Sequence, residues 1–222
     1  VEYQIEGTTM QTLVLQLRRG EQLYSETGNL LMMSDAIRMT TTGGGFGQML
    51  ARGLTGNSLF LNVFEAEEDG AEVMFATRMP GHIVPFDMRQ AYEVVVQRHA
   101  FLCAERSVSY NAGFTLKLGR FLGGNGLMFN TIRGDGMAFI SVDGEVVHRT
   151  LRGGESILVH PGHIAAFRGS IEYEVELLKG VRNLLFGGDG LYLIRLTGPG
   201  QVWLHGVSIH NLRDALSVPG SR

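Results

Sequence analysis

Apolar positions along this chain recur with a period of two in short runs separated by glycine-rich turns, the signature of strands rather than helices. In Thr12-Leu13-Val14-Leu15-Gln16-Leu17 the alternation puts Leu13, Leu15 and Leu17 on one face of a strand. Leu30-Leu31-Met32-Met33 and Phe101-Leu102-Cys103-Ala104 are continuous apolar runs of strand length and predict strands buried on both faces. Strands are also predicted at 59–64, 127–132 and 191–196, each opened by a Gly-Asn or Gly-Asp turn. Each is expected to form a hairpin with a return strand carrying Val73-Met74-Phe75, Phe139-Ile140 or Val202-Trp203-Leu204. Only short helical turns are expected, at 48–52 and 211–216.

The runs repeat as a set. Glu21 and Gly28 open one copy, which continues through Gly56, Gly70 and Gly81; Glu93, Ala100, Gly124, Gly136 and Gly144 follow in the second; Glu155, Gly162, Gly188, Gly200 and Gly206 follow in the third. Such self-similarity marks repeated structural units. The expected fold is all-β: three tandem short double-stranded-β-helix-like modules at 1–88, 89–150 and 151–213, with a tail at 214–222, forming one continuous β-structure. Gly28 and Gly162 hold one position, which asks for a positive φ or a close approach; Ala100 in the middle copy favours a packing limit. Pro80-Gly81-His82-Ile83 and Pro161-Gly162-His163-Ile164 are identical, yet the register places them at different points of the unit.

Composition supports this reading. The 222 residues are 44% hydrophobic and 18% charged, and 31 glycines against five prolines fit many tight turns between short strands. A net charge of −3 lacks the positive footprint of generic phosphate-backbone binding, so nucleic acid is not the expected partner. The single cysteine, Cys103, gives no disulfide framework. No apolar run approaches the roughly 18 residues that span a bilayer, and the start at Val1 has neither the basic segment nor the apolar core of a secretion signal, so a cytoplasmic location is expected.

The segments Arg52-Gly53-Leu54-Thr55-Gly56-Asn57-Ser58-Leu59-Phe60, Pro80-Gly81-His82-Ile83 and Gly198-Pro199-Gly200-Gln201-Val202-Trp203-Leu204 resemble, in that order, a conserved hypothetical bacterial family. Its fungal relatives are linked to mitochondrial biogenesis under the name altered inheritance of mitochondria. The resemblance covers nearly the whole chain. It implies a triplicated fold like that of the trp RNA-binding attenuation protein, and it transfers no catalytic residue because the family has no established activity.

Candidate chemistry is sparse. A cupin-like metal site would use His160 and His163 with Glu155, but the two-histidine His-x-His cluster that points both rings to one side of a strand is missing, and His160-Pro161-Gly162-His163 reads as a turn. No cofactor is expected. His205 and His210 read as strand-end polar residues. His99 and Cys103, four residues apart on a strand, would lie about 13 Å apart, too far to act as base and nucleophile. Gly43-Gly44-Gly45-Phe46-Gly47 lacks the Lys-Ser/Thr of a phosphate-binding loop. Glu21, Glu93 and Glu155 share one position and read as structural, accepting turn amides or pairing with arginines such as Arg18 or Arg152. Arg52, Lys117 and Arg120 are basic residues in or near glycine loops, but no basic-aromatic pair recurs in all three units, as stacked bases would require. The function expected is a non-enzymatic assembly or protein-binding scaffold; an RNA-binding module and a metal-dependent cupin-like enzyme are the alternatives. An unidentified protein partner and self-association into a ring-like homo-oligomer, most simply a trimer, are expected, because terminal units leave strand edges that a copy can cover.

Overall fold

The computed structural model describes residues 1–41, 61–90, 93–116, 127–178, 191–208 and 212. Period-two sequence makes strands throughout. The first seven are β1 (Glu2–Glu6), β2 (Thr12–Leu17), β3 (Gln22–Glu26), β4 (Leu30–Met33), β5 (Ile37–Thr41), β6 (Leu61–Ala66) and β7 (Ala71–Ala76). Six follow: β8 (Gly81–Asp87), β9 (Val94–Gln97), β10 (Phe101–Glu105), β11 (Val108–Leu116), β12 (Leu127–Gly134) and β13 (Met137–Asp143). The last are β14 (Val146–Leu151), β15 (Ser156–Val159), β16 (Ile164–Arg168), β17 (Glu172–Leu178), β18 (Leu191–Thr197) and β19 (Gly200–His205). Short 3-10 turns at Arg98–Ala100 and Pro161–His163 lead into β10 and β16. Among the described residues no helix is long and apolar enough to cross a membrane.

The described strands form four antiparallel sheets, in the orders β1-β2-β7-β4, β5-β6-β3-β10-β13-β8, β11-β12-β9-β16-β19-β14 and β15-β18-β17. Two three-strand patterns recur at an offset of six strands. One is β5-β6-β3, β11-β12-β9 and β17-β18-β15; the other is β4-β7-β2, β10-β13-β8 and β16-β19-β14. The two six-stranded sheets each join one pattern to the other, through β3 beside β10 and β9 beside β16. Met10, Gly81 and Gly144 meet in successive parallel bridges, bringing the approaches to β2, β8 and β14 side by side.

Alternation along the strands of the six-stranded sheets feeds two cores from one sheet. On β3, Leu23 enters a core with Leu13, Leu15, Phe64 and Phe75, whereas its neighbour Tyr24 enters a second with Phe101, Tyr110 and Trp203. On β9, Val94 and Val96 join this second core and Val95 joins a third with Phe129, Phe167 and Leu196. Burial of that much apolar surface is the main source of stability.

Two expectations are corrected. The strands after the Gly-Asn and Gly-Asp turns do not form hairpins with the next strands: β6 pairs with β5 and β3, and β7 lies in a different sheet with β2 and β4. The short turn after β6 carries the chain across to the neighbouring layer rather than back along the same one. Leu30–Met33 is a strand as expected, but it is not buried on both faces. Among the described residues it has one strand neighbour, β7, and Leu31 and Met32 are exposed, whereas the equivalent run on β10 is covered on both sides. The expected helical turn at 48–52, the loop at 43–47, and Gly56, Gly124 and Gly188 lie outside the described residues, as does all of 211–216 except Leu212, whose amide donates to the Ser208 carbonyl.

Candidate functional site

Among the described residues, two polar clusters stand beside joins between strand patterns. The first stands where β3 meets β10. Ser25 Oγ donates to the Leu102 carbonyl at 2.6 Å, and Asn29 Nδ2 donates to the same carbonyl at 3.1 Å. Asn29 Oδ1 accepts from Arg78 Nε at 2.9 Å. The Glu26 carboxylate lies 3.8 Å from both Arg78 Nη2 and Arg98 Nε and accepts from the Tyr110 hydroxyl at 3.4 Å. Burial raises the Glu26 pKa above the ordinary carboxylate range, with Arg98 and Arg78 opposing the rise. Burial, with the same two arginines, lowers the pKa of His99. These contacts tie β3 and the turn after it to β10, to β11 and to the segment after β7, an arrangement that suits a structural junction.

The second cluster surrounds His205. Its Nδ1 accepts the Asp143 amide at 2.9 Å, so Nε2 carries the proton and donates to Gln97 Oε1 at 2.9 Å. The His205 carbonyl accepts from His163 Nδ1 at 2.8 Å. His82 Nδ1 lies 2.9 Å from the Gly144 carbonyl and therefore donates to it. Desolvation lowers the His205 pKa to about 4 and raises that of Asp143 to about 6. Read from sequence as an ordinary strand-end residue, His205 is instead buried and bridges β19, β13 and β9. The signal was available, since period two puts it on the same face as Trp203. His210 lies outside the described residues.

Of the three residues that a cupin-like site would use, the two histidines lie close together and Glu155 lies apart. His160 and His163 rings stand edge to face at 5.7 Å in the 3-10 turn region, but Glu155 precedes β15 and His160 follows it, about 16 Å of extended chain away. Glu155 accepts the Arg152 amide at 2.9 Å. Among the described residues, no group of three or more His, Cys, Asp and Glu side chains is placed to hold a metal ion. Cys103 is fully buried on β10, with its thiol pKa pushed well up by desolvation, while His99 sits in the preceding 3-10 turn rather than on the same strand. Arg52, Lys117 and Arg120 lie outside the described residues.

Glu21 and Glu155 do the same job. Each accepts, at 2.9 Å, the amide of the residue three before it, Arg18 and Arg152, closing a turn whose glycine, Gly20 or Gly154, has a positive φ. Glu93 pairs with the Arg133 side chain instead. The position shared by Gly28 and Gly162 also divides. Gly28 has φ +99° and a Cβ there would meet Arg78 Nη2 at 3.8 Å, an ordinary contact, whereas a side chain at Gly162 would meet Ser208 Oγ at 2.7 Å and the His160 ring at 3.4 Å. Ala100 ends the 3-10 turn before β10. Gly162→Val is accordingly expected to lower stability by about 1–3 kcal/mol through crowding. Ala100→Gly is expected to cost about 0.5–1 kcal/mol through chain entropy. Urea unfolding of both variants checks the order, and a neutral Gly162→Val would show that Ser208 moves aside freely. Gly70 and Gly136 directly precede β7 and β13, Gly81 and Gly200 begin β8 and β19, Gly144 and Gly206 follow β13 and β19, and the backbone of Glu145 crowds Gly206.

A family model described as "Mitochondrial biogenesis AIM24" matches residues 3–206. An X-ray crystal structure of a Streptococcus pyogenes protein is similar in fold, with a TM-score of 0.77, 18% sequence identity and 97% of each chain covered. A search of curated proteins returns no match.

Proposed function

This chain belongs to the AIM24 mitochondrial biogenesis family, and from that membership and its strand order we propose a non-enzymatic assembly or protein-binding scaffold made of three β-modules. In this reading the modules, expected from sequence at 1–88, 89–150 and 151–213, run as β2–β7, β8–β13 and β14–β19, so that β8 and β14 each open a module rather than close the one before; each is divided between two sheets, like the short double-stranded β-helix unit of the trp RNA-binding attenuation protein. The observation that carries the reading is the recurrence of both three-strand patterns at an offset of six strands. The described polar clusters favour the same reading, because their hydrogen bonds run between strands at the joins. The scaffold is cytoplasmic and works as a ring-like homo-oligomer, most simply a trimer, that presents its surface to a protein partner.

Light scattering coupled to size exclusion, over a range of micromolar concentrations, tests this on the native protein. The expected mass is a whole multiple of the 24.3 kDa chain, with or without a co-purifying protein. A monodisperse monomer that carries no partner from its own cell would overturn the scaffold reading.

A further inference from the structure

We propose that a second copy of this chain docks head to tail by antiparallel pairing of β15 in one copy with β4 in the next. The register is Val159 opposite Met32, Leu158 opposite Met33 and Ile157 opposite Ser34. The proposal rests on the assembly reading above and names the surface that would carry it.

Within the chain the same kind of join is made twice. At β3 and β10, Ser25 opposes Cys103, Tyr24 opposes Ala104 and Leu23 opposes Glu105. At β9 and β16, Val96 opposes Ala166, Val95 opposes Phe167 and Val94 opposes Arg168. A third join of this kind needs the third members of the two strand sets, β15 and β4. Among the described residues each has one strand neighbour, β18 for β15 and β7 for β4.

Local geometry fixes which residues correspond. In β4, β10 and β16 the pairing slips at the same point: Leu30 opposes Phe75 and Met32 opposes Met74; Phe101 opposes Ile140 and Cys103 opposes Phe139; Ile164 opposes Leu204 and Ala166 opposes Trp203. Met32 therefore corresponds to Cys103 and Ala166. On the other side Leu23, Val94 and Ile157 oppose Phe64, Ile132 and Leu196, each eight residues beyond the glycine of its Gly-Asn or Gly-Asp turn. Leu158 therefore corresponds to Tyr24 and Val95.

Exposure separates the made joins from the open one. Leu158 is 43% exposed, Leu31 53% and Met32 39%, whereas Tyr24, Leu102, Cys103, Ala165 and Ala166 are 0–1% exposed and Val95 is 7%. The faces agree as well. Phe101 and Ala104 of β10 enter the second core while Leu102 and Cys103 enter the first. On β4, Leu30 and Met33 pack on the first core, and Leu31 and Met32 face where a preceding core would lie. The third core of another copy supplies that core. Several other edges carry protection, Arg38 on β5, Pro85 on β8, Arg149 on β14 and three glutamates on β17, whereas β4 reads LLMM and β15 reads SILV and, like the edge strand β11, have no charge and no proline. A contact between different surfaces of identical chains either closes into a ring or propagates as a filament.

Site-directed cross-linking tests the register. Opposed residues of an antiparallel pair have Cα atoms about 4.5–5.5 Å apart, within disulfide range, and native Cys103 is buried and silent. Chains carrying Leu158→Cys and chains carrying Met33→Cys, mixed and oxidised, are expected to give covalent dimers. Each variant alone should give none, and Leu158→Cys mixed with Leu30→Cys should give at most about a tenth of the yield. Leu31→Lys, at an exposed position of the isolated chain, is expected to weaken association at least about tenfold with unfolding unchanged. Equal yields from the in-register, out-of-register and single-variant samples would overturn the proposal. An oligomer by light scattering with no Leu158–Met33 cross-link would overturn this interface and leave the scaffold reading standing. A monomer would sink both, and would mean that segments of the same chain, such as 209–222, cover the edges.

Discussion

Phe101→Ala is expected to lower the free energy of unfolding by about 3–5 kcal/mol, the range for removing a buried aromatic ring. The ring of Phe101 is stacked between Tyr110, at a centroid distance of 4.0 Å, and Tyr24, at 5.7 Å. These three side chains stand on β10, β11 and β3, so the stack crosses the seam between two strand sets. The Tyr24 hydroxyl donates to the Val108 carbonyl at 2.9 Å, which fixes one side of the cavity and limits its collapse. Phe101→Leu keeps most of the volume and should cost under about 1.5 kcal/mol. Urea denaturation with an unchanged slope is the appropriate measurement. A loss below about 1 kcal/mol for the alanine variant would mean that the second core closes without the stack.

The next largest effect is a dependence on pH centred on His205. Its folded pKa of about 4 lies below the ordinary 6.5, so the fold favours the neutral ring. This contribution is present above pH 6.5 and is lost as the pH falls towards 4, because the unfolded chain takes up the proton first. The loss is about 3 kcal/mol for this one group. Asp143 works in the opposite sense. Its pKa, raised to about 6 by burial, makes the folded chain take up a proton before the unfolded one does, so acidification through that window adds stability. The two slopes partly cancel in the native protein. In Asp143→Asn the cancelling slope is gone, and stability should fall more steeply between pH 7 and pH 4.5 than in the native chain. Replacing His205 with glutamine should reverse the sign and make the protein more stable at pH 4.5 than at pH 7. Denaturation midpoints at the two pH values decide it, and parallel profiles in all three proteins would exclude His205 as the source.

Period-two patterning made the strands legible because a half-buried strand alternates by necessity, as Leu13, Leu15 and Leu17 show. It could not reveal how many neighbours a strand has. Leu30–Met33 and Phe101–Ala104 are equally apolar, yet one lies at a sheet edge and the other inside a six-stranded sheet. The Gly-Asn and Gly-Asp pairs announced that a strand would follow, as β12 and β18 do, but not which strand it pairs with. This is why β12 was expected beside β13 and lies beside β11 and β9. The polar joins were least legible. Glu26 at the end of β3, Arg78 after β7 and Arg98 in the 3-10 turn before β10 come together only once those elements have been placed, and no local spacing announces such a meeting. His205 could have been found, because the residue two before it is Trp203.

The sharing of each six-stranded sheet between two strand sets bears on ancestry and on fragments. In the proposed scaffold the unit that repeats in sequence is not the unit that folds, since a single set leaves its β3-type and its β4-type strands each with one edge unpaired. A gene encoding one set alone would have yielded a product obliged to self-associate, with strand pairs between chains where the present protein has them within one chain. Tandem duplication would then have converted an assembly equilibrium into an intramolecular one, removing its dependence on concentration at two joins. Cutting the chain between β7 and β8 should for the same reason release not two domains but two unequal pieces that seek each other, and the pieces expressed separately should reconstitute on mixing.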